Sequence, residues 1–342
     1  MPPMVRGRAE SDGTPGDMMR DYYAQRSSPG GFIIAEAAAV SELGVGYKGG
    51  PLIYTREHML GWKKVVDAVH EKGAYIFLQL WHAGRRSPPE LRREGTQAVA
   101  PSAVADVGAP ELGFRSFPVP RELGTEEIPA IVEEYRQATI LSKEAGFDGV
   151  EIHAAHGYLP DQFLADNTNL REDEYGGSIE NRSRFLMDLV RVTSEIYGKD
   201  RVGVRLSPSN RLGNIKPADP ERLFRHLAQR LDDEQILYLH IVEPRVQGSF
   251  TLNDDAAPVA TKSLREVFRG PLISAGGFSA ESGAATIDAG IADLIAYGRF
   301  FIPNPDLPER FRNSWPLTPY DRSSFYQGDH RGYVDYDNYQ YA

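Results

Sequence analysis

Val150-Glu151-Ile152-His153-Ala154-Ala155-His156-Gly157-Tyr158 is a short apolar run that ends in two imidazoles and a phenol. Residues 147–152 have the β-branched, apolar character of a buried strand, and Ala154-Ala155-His156-Gly157 then breaks the pattern with small residues and a turn former. His153, His156 and Tyr158 are therefore expected at the C-terminal mouth of that strand. Three polar rings in such a place can bind an anion, hold a metal or deliver a proton.

Outward from this stretch, strand and helix patterns alternate. Strands are expected at 1–5, 32–36, 75–81, 201–206, 237–242, 272–275 and 294–297. Helices are expected at 17–26, 56–72, 126–145, 179–197 (with Ser178 as N-cap), 220–231, 261–268, 280–289 and 305–311. Counting the central one, that makes eight strands with no composition break between them. The α/β architecture that uses this count is a (β/α)8 TIM barrel, one domain over residues 1–342. A doubly wound sheet competes, but no Gly-x-Gly-x-x-Gly follows an early strand. After the third strand, residues 84–124 form a long stretch rich in Pro, Gly and Arg, which reads as a lid-like excursion. The tail, 313–342, is rich in Tyr, Asp and Gly.

A chain of 342 residues, 41% of them hydrophobic, can bury a full core. With 38 Lys and Arg against 48 Asp and Glu, the net charge is −10, and no basic run opposes a polyanion, so nucleic acid is not an expected partner. The absence of cysteine excludes disulfides, cysteine-ligated zinc, iron–sulfur clusters and a thiol nucleophile, and it suits the cytoplasm. No apolar run approaches the roughly 20 residues of a membrane span, and the first residues do not read as a signal peptide. A monomer or homodimer without membrane partners is expected.

Barrel active sites lie at the C-terminal ends of the strands. Those ends deliver Val5 and Arg6; Glu36 and Ala37; Gln79, Trp81 and His82; the central His153, His156 and Tyr158; Arg205; His240 and Glu243; Gly276 and Gly277; and Gly298 and Arg299. Paired glycines after the seventh strand and Gly-Arg after the eighth suit phosphate, because backbone N–H groups can approach an anion closely there. Arg205 adds a second cation and Gln79 an amide that matches a planar polar edge. FMN is the natural candidate for such a set. A metal-dependent hydrolase is the alternative, with His153, His156, His240 and Glu243 as ligands, but the rim is poor in carboxylates.

Four stretches together resemble the Old Yellow Enzyme family, FMN-dependent ene-reductases that reduce activated alkenes with NADPH or NADH. They are Phe77-Leu78-Gln79-Leu80-Trp81-His82-Ala83-Gly84-Arg85, residues 149–158, Asp173-Glu174-Tyr175-Gly176-Gly177-Ser178-Ile179-Glu180-Asn181-Arg182, and Asn304-Pro305-Asp306-Leu307-Pro308. The resemblance runs over about residues 3–336. It implies that His153 and His156 bind the carbonyl or nitro oxygen of an activated alkene, and that Tyr158 delivers a proton after hydride transfer from the flavin. It implies that Pro3, Met4, Val5, Ala37, Gln79 and Arg205 contact the flavin, that Gly276, Gly277, Gly298 and Arg299 hold its phosphate, and that Tyr47, Trp81 and Tyr326 form an aromatic substrate pocket. The implied enzyme is of the NADPH dehydrogenase type, working by ping-pong hydride transfer.

Two departures from the family pattern stand out. Val5 occupies a position where many members have a threonine able to donate a hydrogen bond to the flavin, so a less stabilised reduced flavin is expected. The family's N-terminal hairpin and the start of its first strand have no counterpart before Met1, so weaker stability or FMN retention is expected unless a partner covers the gap. A flavin-binding scaffold with little turnover is the reading that this second departure keeps open. The related iron–sulfur dienoyl-CoA reductases are excluded by the absence of cysteine.

Overall fold

The computed structural model describes residues 1–108, 115–247, 250–251 and 260–340. Seven strands form one sheet: β1 (Phe32–Ala39), β2 (Tyr75–Trp81), β3 (Gly149–Ala154), β4 (Val202–Leu206), β5 (Tyr238–Val242), β6 (Leu272–Ala275) and β7 (Leu294–Ala296). They are ordered in the sheet as in the chain, and every neighbouring pair is parallel. Helices return the chain between them: α1 (Asp17–Gln25), α2 (Arg56–His70), α3 (Ile128–Glu144), α4 (Leu159–Leu164), α5 (Ile179–Tyr197), α6 (Pro220–Asp233), α7 (Ala260–Arg265), α8 (Ala280–Asp288), α9 (Gly298–Phe301) and α10 (Leu307–Asn313). Ser178 caps α5 as its sequence suggests, accepting from the Asn181 amide at 3.2 Å. No helix among the described residues is long and apolar enough to cross a membrane.

The sheet curls on itself. Phe32 at the start of β1 packs edge-on against Tyr238 of β5, four strands away in the sheet, with ring centroids 6.0 Å apart. Room for those rings is made by glycine: a Cβ on Gly149 would lie 2.4 Å from the Phe77 ring, and one on Gly203 would lie 2.2 Å from the Tyr238 ring. Large and small residues thus alternate around the inner face, as a curved, filled sheet demands. Outside the sheet, the helices bury the larger core, with Trp62, Tyr135, Phe163 and Phe185 at its centre.

The opening segment corrects one expectation. Residues 1–5 do not form an eighth strand; they make two ladder-like hydrogen bonds with β1, from Met1 N to Phe32 O and from Ile34 N to Met1 O, both 2.9 Å. Pro2 and Pro3 have no N–H to donate, which stops the ladder there. The segment still lies in the seam between the two ends of the sheet, since a Cβ on Gly298 just after β7 would meet Met4 Sδ at 3.3 Å and Pro2 Cγ at 3.4 Å. Two smaller differences bear on the site. β3 starts and ends two residues later than the sequence suggests, so His153 lies within the strand and only His156 and Tyr158 lie beyond it. In β1 the register slips between Ala35 and Ala38, so Glu36 and Ala37 together oppose Gln79 of β2. This bulge sends the two side chains different ways, Glu36 to the Arg6 backbone amide and Ala37 to the large cavity.

The stretch after β2 carries two single 3-10 turns and a short parallel pairing of Val99–Ala100 with Arg121–Glu122. Residues 109–114 of the expected lid and 341–342 of the expected tail lie outside the described residues.

Candidate active site

A cavity of about 630 Å³ opens at the C-terminal ends of the strands, and the sixteen residues that the family resemblance implies for catalysis, flavin and substrate line it, whereas Glu36, His82, His240 and Glu243 from the same strand ends do not. Pro3, Met4 and Val5 come from the opening segment, Ala37 from β1, Gln79 and Trp81 from β2, and Tyr47 from the loop between them. His153, His156 and Tyr158 follow from β3 and its turn, and Arg205 from β4. Gly276 and Gly277 follow β6, Gly298 and Arg299 open α9, and Tyr326 reaches in from the tail. Sequence reasoning missed Arg86, Arg245, Phe278, Tyr320 and Phe325 on the same walls. Arg245 was findable, as a cation three residues past a strand end; Tyr320 and Phe325 carry no periodic signal.

His153 and His156 meet edge to face with ring centroids 5.6 Å apart, and His153 meets the Tyr158 ring at 4.9 Å. His156 has a φ of 58°, in the left-handed region that non-glycine residues rarely occupy, and Gly157 follows at 77°. The unusual backbone is pinned on both sides: the His156 amide donates to Ser207 Oγ at 2.9 Å, and its carbonyl accepts from Arg86 Nη1 at 2.7 Å. Burial holds both imidazoles well below their ordinary pKa; His156 and Arg205 add to this at His153, and Arg205 and Arg86 at His156. Both rings are therefore neutral at pH 7, each with one N–H to donate. Among the described residues, His153 Nδ1 has no partner.

The Tyr158 and Tyr47 hydroxyls lie 2.6 Å apart in a hydrogen bond. Trp81 packs against both, stacked on Tyr47 at 5.5 Å and edge-on to Tyr158 at 5.1 Å. Burial, then the neighbouring Tyr47, pushes the Tyr158 phenol well above its ordinary pKa, so it holds its proton.

Below this wall lies a buried polar network. Gln79 Nε2 donates to Glu151 Oε1 at 2.7 Å, while Glu151 Oε2 accepts from Tyr238 Oη at 3.1 Å and pairs with His240 Nδ1 at 2.9 Å. Burial alone would raise the Glu151 pKa, but His240, Arg205 and Gln79 together outweigh it and the carboxyl ends below its ordinary value. His240 is also lowered, by burial first, so the pair is a neutral imidazole donating to a carboxylate. The counter-charge to Glu151 is then Arg205, which stands between His153 and His240 in the strand register.

Residues 1–317 match the model of the NADH:flavin oxidoreductase / NADH oxidase family. The chain belongs to this family. Curated relatives include 12-oxophytodienoate reductase 2 of Arabidopsis thaliana, 46% identical over 320 residues that span 92% of this chain and 85% of that protein. Another is 12-oxophytodienoate reductase 7 of Oryza sativa subsp. japonica, 42% identical, with 98% of this chain and 89% of that protein covered. Among solved structures, morphinone reductase in complex with tetrahydroNAD superposes with a TM-score of 0.92 at 44% identity, covering 99% of this chain and 93% of that one. The old yellow enzyme homologue from Zymomonas mobilis gives the same TM-score at 41% identity, with 98% and 94% covered. The Old Yellow Enzyme resemblance therefore stands, and the chain is an FMN flavoprotein oxidoreductase by family.

The residues present fit the flavin that this oxidoreductase family uses. Gly276 and Gly277 have φ of 122° and 68°, and a Cβ on Gly276 would lie 2.7 Å from Val246 Cγ2, so only glycine suits the first position. Arg245 braces this turn by donating from Nε to the Gly276 carbonyl at 2.7 Å while its guanidinium lies 4.2 Å from the Phe278 ring centroid. Arg299 follows Gly298 in α9 and lines the same cavity. Arg205 is buried, and among the described residues its Nε has no partner. The volume lies within the roughly 300–1,000 Å³ of cofactor and ligand sites. The hydrolase ligand set does not converge: His240 is held by Glu151, and Glu243 accepts from Thr261 and Ser274.

Proposed function

We propose that the protein is an FMN-dependent ene-reductase that reduces the C=C bond of α,β-unsaturated carbonyl or nitro compounds at the expense of NADPH or NADH. We read the fold as a (β/α)8 barrel in which the opening segment takes the place of the first strand, with residues 84–124 acting as a lid. The observation that carries the function is the meeting of two neutral buried imidazoles with a protonated phenol, in one cavity with a cradle of glycine and arginine.

In this reading Gly276, Gly277, Gly298, Arg245 and Arg299 hold the phosphate, while Gln79, Arg205, Ala37 and the backbone of Pro3, Met4 and Val5 border the ring system. FMN, when bound, would supply hydride transfer from the nicotinamide to the alkene carbon. Everything else falls to the chain's own groups. His153 and His156 donate N–H bonds to the substrate oxygen, where negative charge grows as the double bond is reduced. Preorganised donors of this kind contribute about 10²–10³ in rate. Their neutrality matters, because a charged imidazolium would bind any anion without discrimination. Tyr158 then gives its proton to the carbon next to the carbonyl, a general-acid step contributing about 10²–10⁴. Tyr47, Trp81 and Tyr326 wall the substrate in and hold the phenol in place.

The names of the relatives support this reading, since they are called reductases of 12-oxophytodienoate and of morphinone. The test is spectroscopic. Protein purified with added FMN and freed of excess flavin is expected to show a flavin spectrum that bleaches under anaerobic NADPH and returns with 2-cyclohexenone. A spectrum that bleaches and does not return would leave a flavin-binding scaffold; one with no flavin would overturn the reading.

A further inference from the structure

Arg86 is not among the residues the family resemblance singles out, yet it reaches both the His156 peptide and the Tyr158 ring of the proton-donating wall. It closes the 3-10 turn Gly84–Arg86 after β2 and is almost wholly buried. Its Nη1 donates to the His156 carbonyl at 2.7 Å, and its Nε makes an ion pair with the fully buried Asp106 carboxylate, 3.0 Å from Oδ2 but without hydrogen-bond alignment. Its guanidinium carbon stands 5.3 Å from the Tyr158 ring centroid and 5.9 Å from that of Phe117. It lines the large cavity and also a second cavity of about 400 Å³, with Tyr47 and Tyr158 the other residues common to both. Asp106 is itself fixed in the stretch after β2, its Oδ1 accepting from Gly108 N and its carbonyl from Phe117 N, both at 2.8 Å.

We propose that Arg86 is a positioning residue for proton delivery: it ties the His156 peptide to buried Asp106 and fixes a cation beside the Tyr158 ring, where phenolate charge grows. The proposal rests on the ene-reductase reading above. When the proton leaves Tyr158 Oη, the O–H bond breaks, a C–H bond forms on the substrate carbon from the enolate electron pair, and the negative charge passes to the phenolate until water reprotonates it. The groups facing that phenol are Tyr47, Tyr326, His153, Arg205 and Arg86. Tyr47 and Tyr326 oppose the phenolate, and Arg86 works against burial in its favour. A cation in a water-poor wall acts on charge with little screening. The same side chain also holds the left-handed His156 peptide, so one residue sets both the oxygen-binding and the proton-donating group.

Arg86→Met alone would strand Asp106 as an unpaired buried charge. The variants to make are therefore Arg86→Gln, which keeps amide donors without the charge, the double variant R86M/D106N, and Arg86→Lys, which keeps the charge. On FMN-loaded protein, Arg86→Gln and R86M/D106N are expected to slow reoxidation by 2-cyclohexenone by at least about tenfold, with a larger solvent deuterium isotope effect. Reduction by NADPH should stay within about twofold, and Arg86→Lys should retain reoxidation within about threefold of the parent. Independently of turnover, hydrogen exchange at the Gly157 amide should quicken in R86M/D106N, where the tether is gone, and not in Arg86→Lys. Charge-free variants that reoxidise within about twofold of the parent, or that lose both half-reactions by one common factor, overturn the proposal. So does a lysine variant as slow as the glutamine one. A parent protein that the enone fails to reoxidise overturns the ene-reductase reading instead, which separates the two failures.

Discussion

The Tyr158 hydroxyl lies 2.6 Å from that of Tyr47, a hydrogen bond across 111 residues of chain that joins the turn after β3 to the loop after β1. A phenol so placed keeps its proton until a stronger acceptor arrives, because burial and the second phenol both oppose its ionisation.

Tyr158→Phe removes the proton and keeps the ring, so it isolates the acid from the wall. Reoxidation by 2-cyclohexenone is expected to fall by about 10²–10⁴ while reduction by NADPH is unchanged. Stopped-flow traces of the two half-reactions check this. Equal loss in both would show that the residue supports the pocket and does not donate.

Glu151 holds the floor of the cavity. Its fully buried carboxylate is the counter-charge to Arg205 and accepts from Gln79, Tyr238 and His240. Glu151→Gln keeps the shape and removes the negative charge that offsets buried Arg205 through space, with no direct ion pair between them. The unfolding free energy measured in urea is expected to drop by about 1.5–3 kcal/mol, the scale of buried hydrogen bonds to a charged group. A loss below about 1 kcal/mol would mean that Arg205 finds compensation elsewhere.

How much of this was legible in the sequence depends on what each residue answers to. The strand ends were, because an apolar run that stops at a histidine, an arginine or a glycine pair marks the rim of a parallel sheet; twelve of the sixteen site residues follow from those ends, while Pro3, Met4, Tyr47 and Tyr326 came only from the family resemblance. The opening segment was misread because its apolar look outweighed two prolines that cannot donate to a ladder. Arg85 and Arg86 sit side by side in the sequence with opposite destinations: Arg85 reaches the Val104 and Gly213 carbonyls, and Arg86 reaches the active site. No local pattern separates them. Phe325 and Tyr326 are brought in from the tail by Arg6, whose Nε donates to the Phe325 carbonyl at 2.7 Å across 319 residues. That contact belongs to tertiary structure alone.

At Gly277 a Cβ would meet the Arg245 side chain at 3.5 Å and beyond, an ordinary contact, so space is not what forbids a side chain. The φ of 68° costs an alanine about 1–2 kcal/mol, and its methyl would stand on the side on which the proposed phosphate cradle opens. Gly277→Ala is expected to weaken FMN binding by at least about tenfold with a modest fall in melting temperature. Fluorescence of released flavin on dilution measures it; retention equal to the parent would move the phosphate elsewhere.

Val5 borders the cavity and brings no hydroxyl to it. Val5→Thr adds a donor without changing volume much, so the potential of the bound flavin is expected to rise and its reduction by NADPH to quicken. Dye-coupled potentiometry decides this. An unchanged potential would show that position 5 does not address the flavin carbonyl.

Glu36 makes the stability of this fold depend on pH. Burial lifts its carboxyl from 4.5 to about 7, against the Arg6 backbone amide, the Arg6 guanidinium and Tyr23, which stabilise the charged form. Between pH 4.5 and about 7 the folded chain holds a proton that the unfolded chain has lost, so its contribution to stability is complete below 4.5 and disappears as pH rises through 7. The total is about 3 kcal/mol. Asp161, lifted from 3.8 to about 7 by burial, acts in the same direction. Glu36→Gln removes the first of these, so its stability relative to the parent should improve by about 3 kcal/mol on going from pH 4.5 to pH 8. Urea unfolding at the two pH values measures the difference. A variant that tracks the parent at both would mean that Glu36 is ionised throughout, with Arg6 and Tyr23 outweighing its burial.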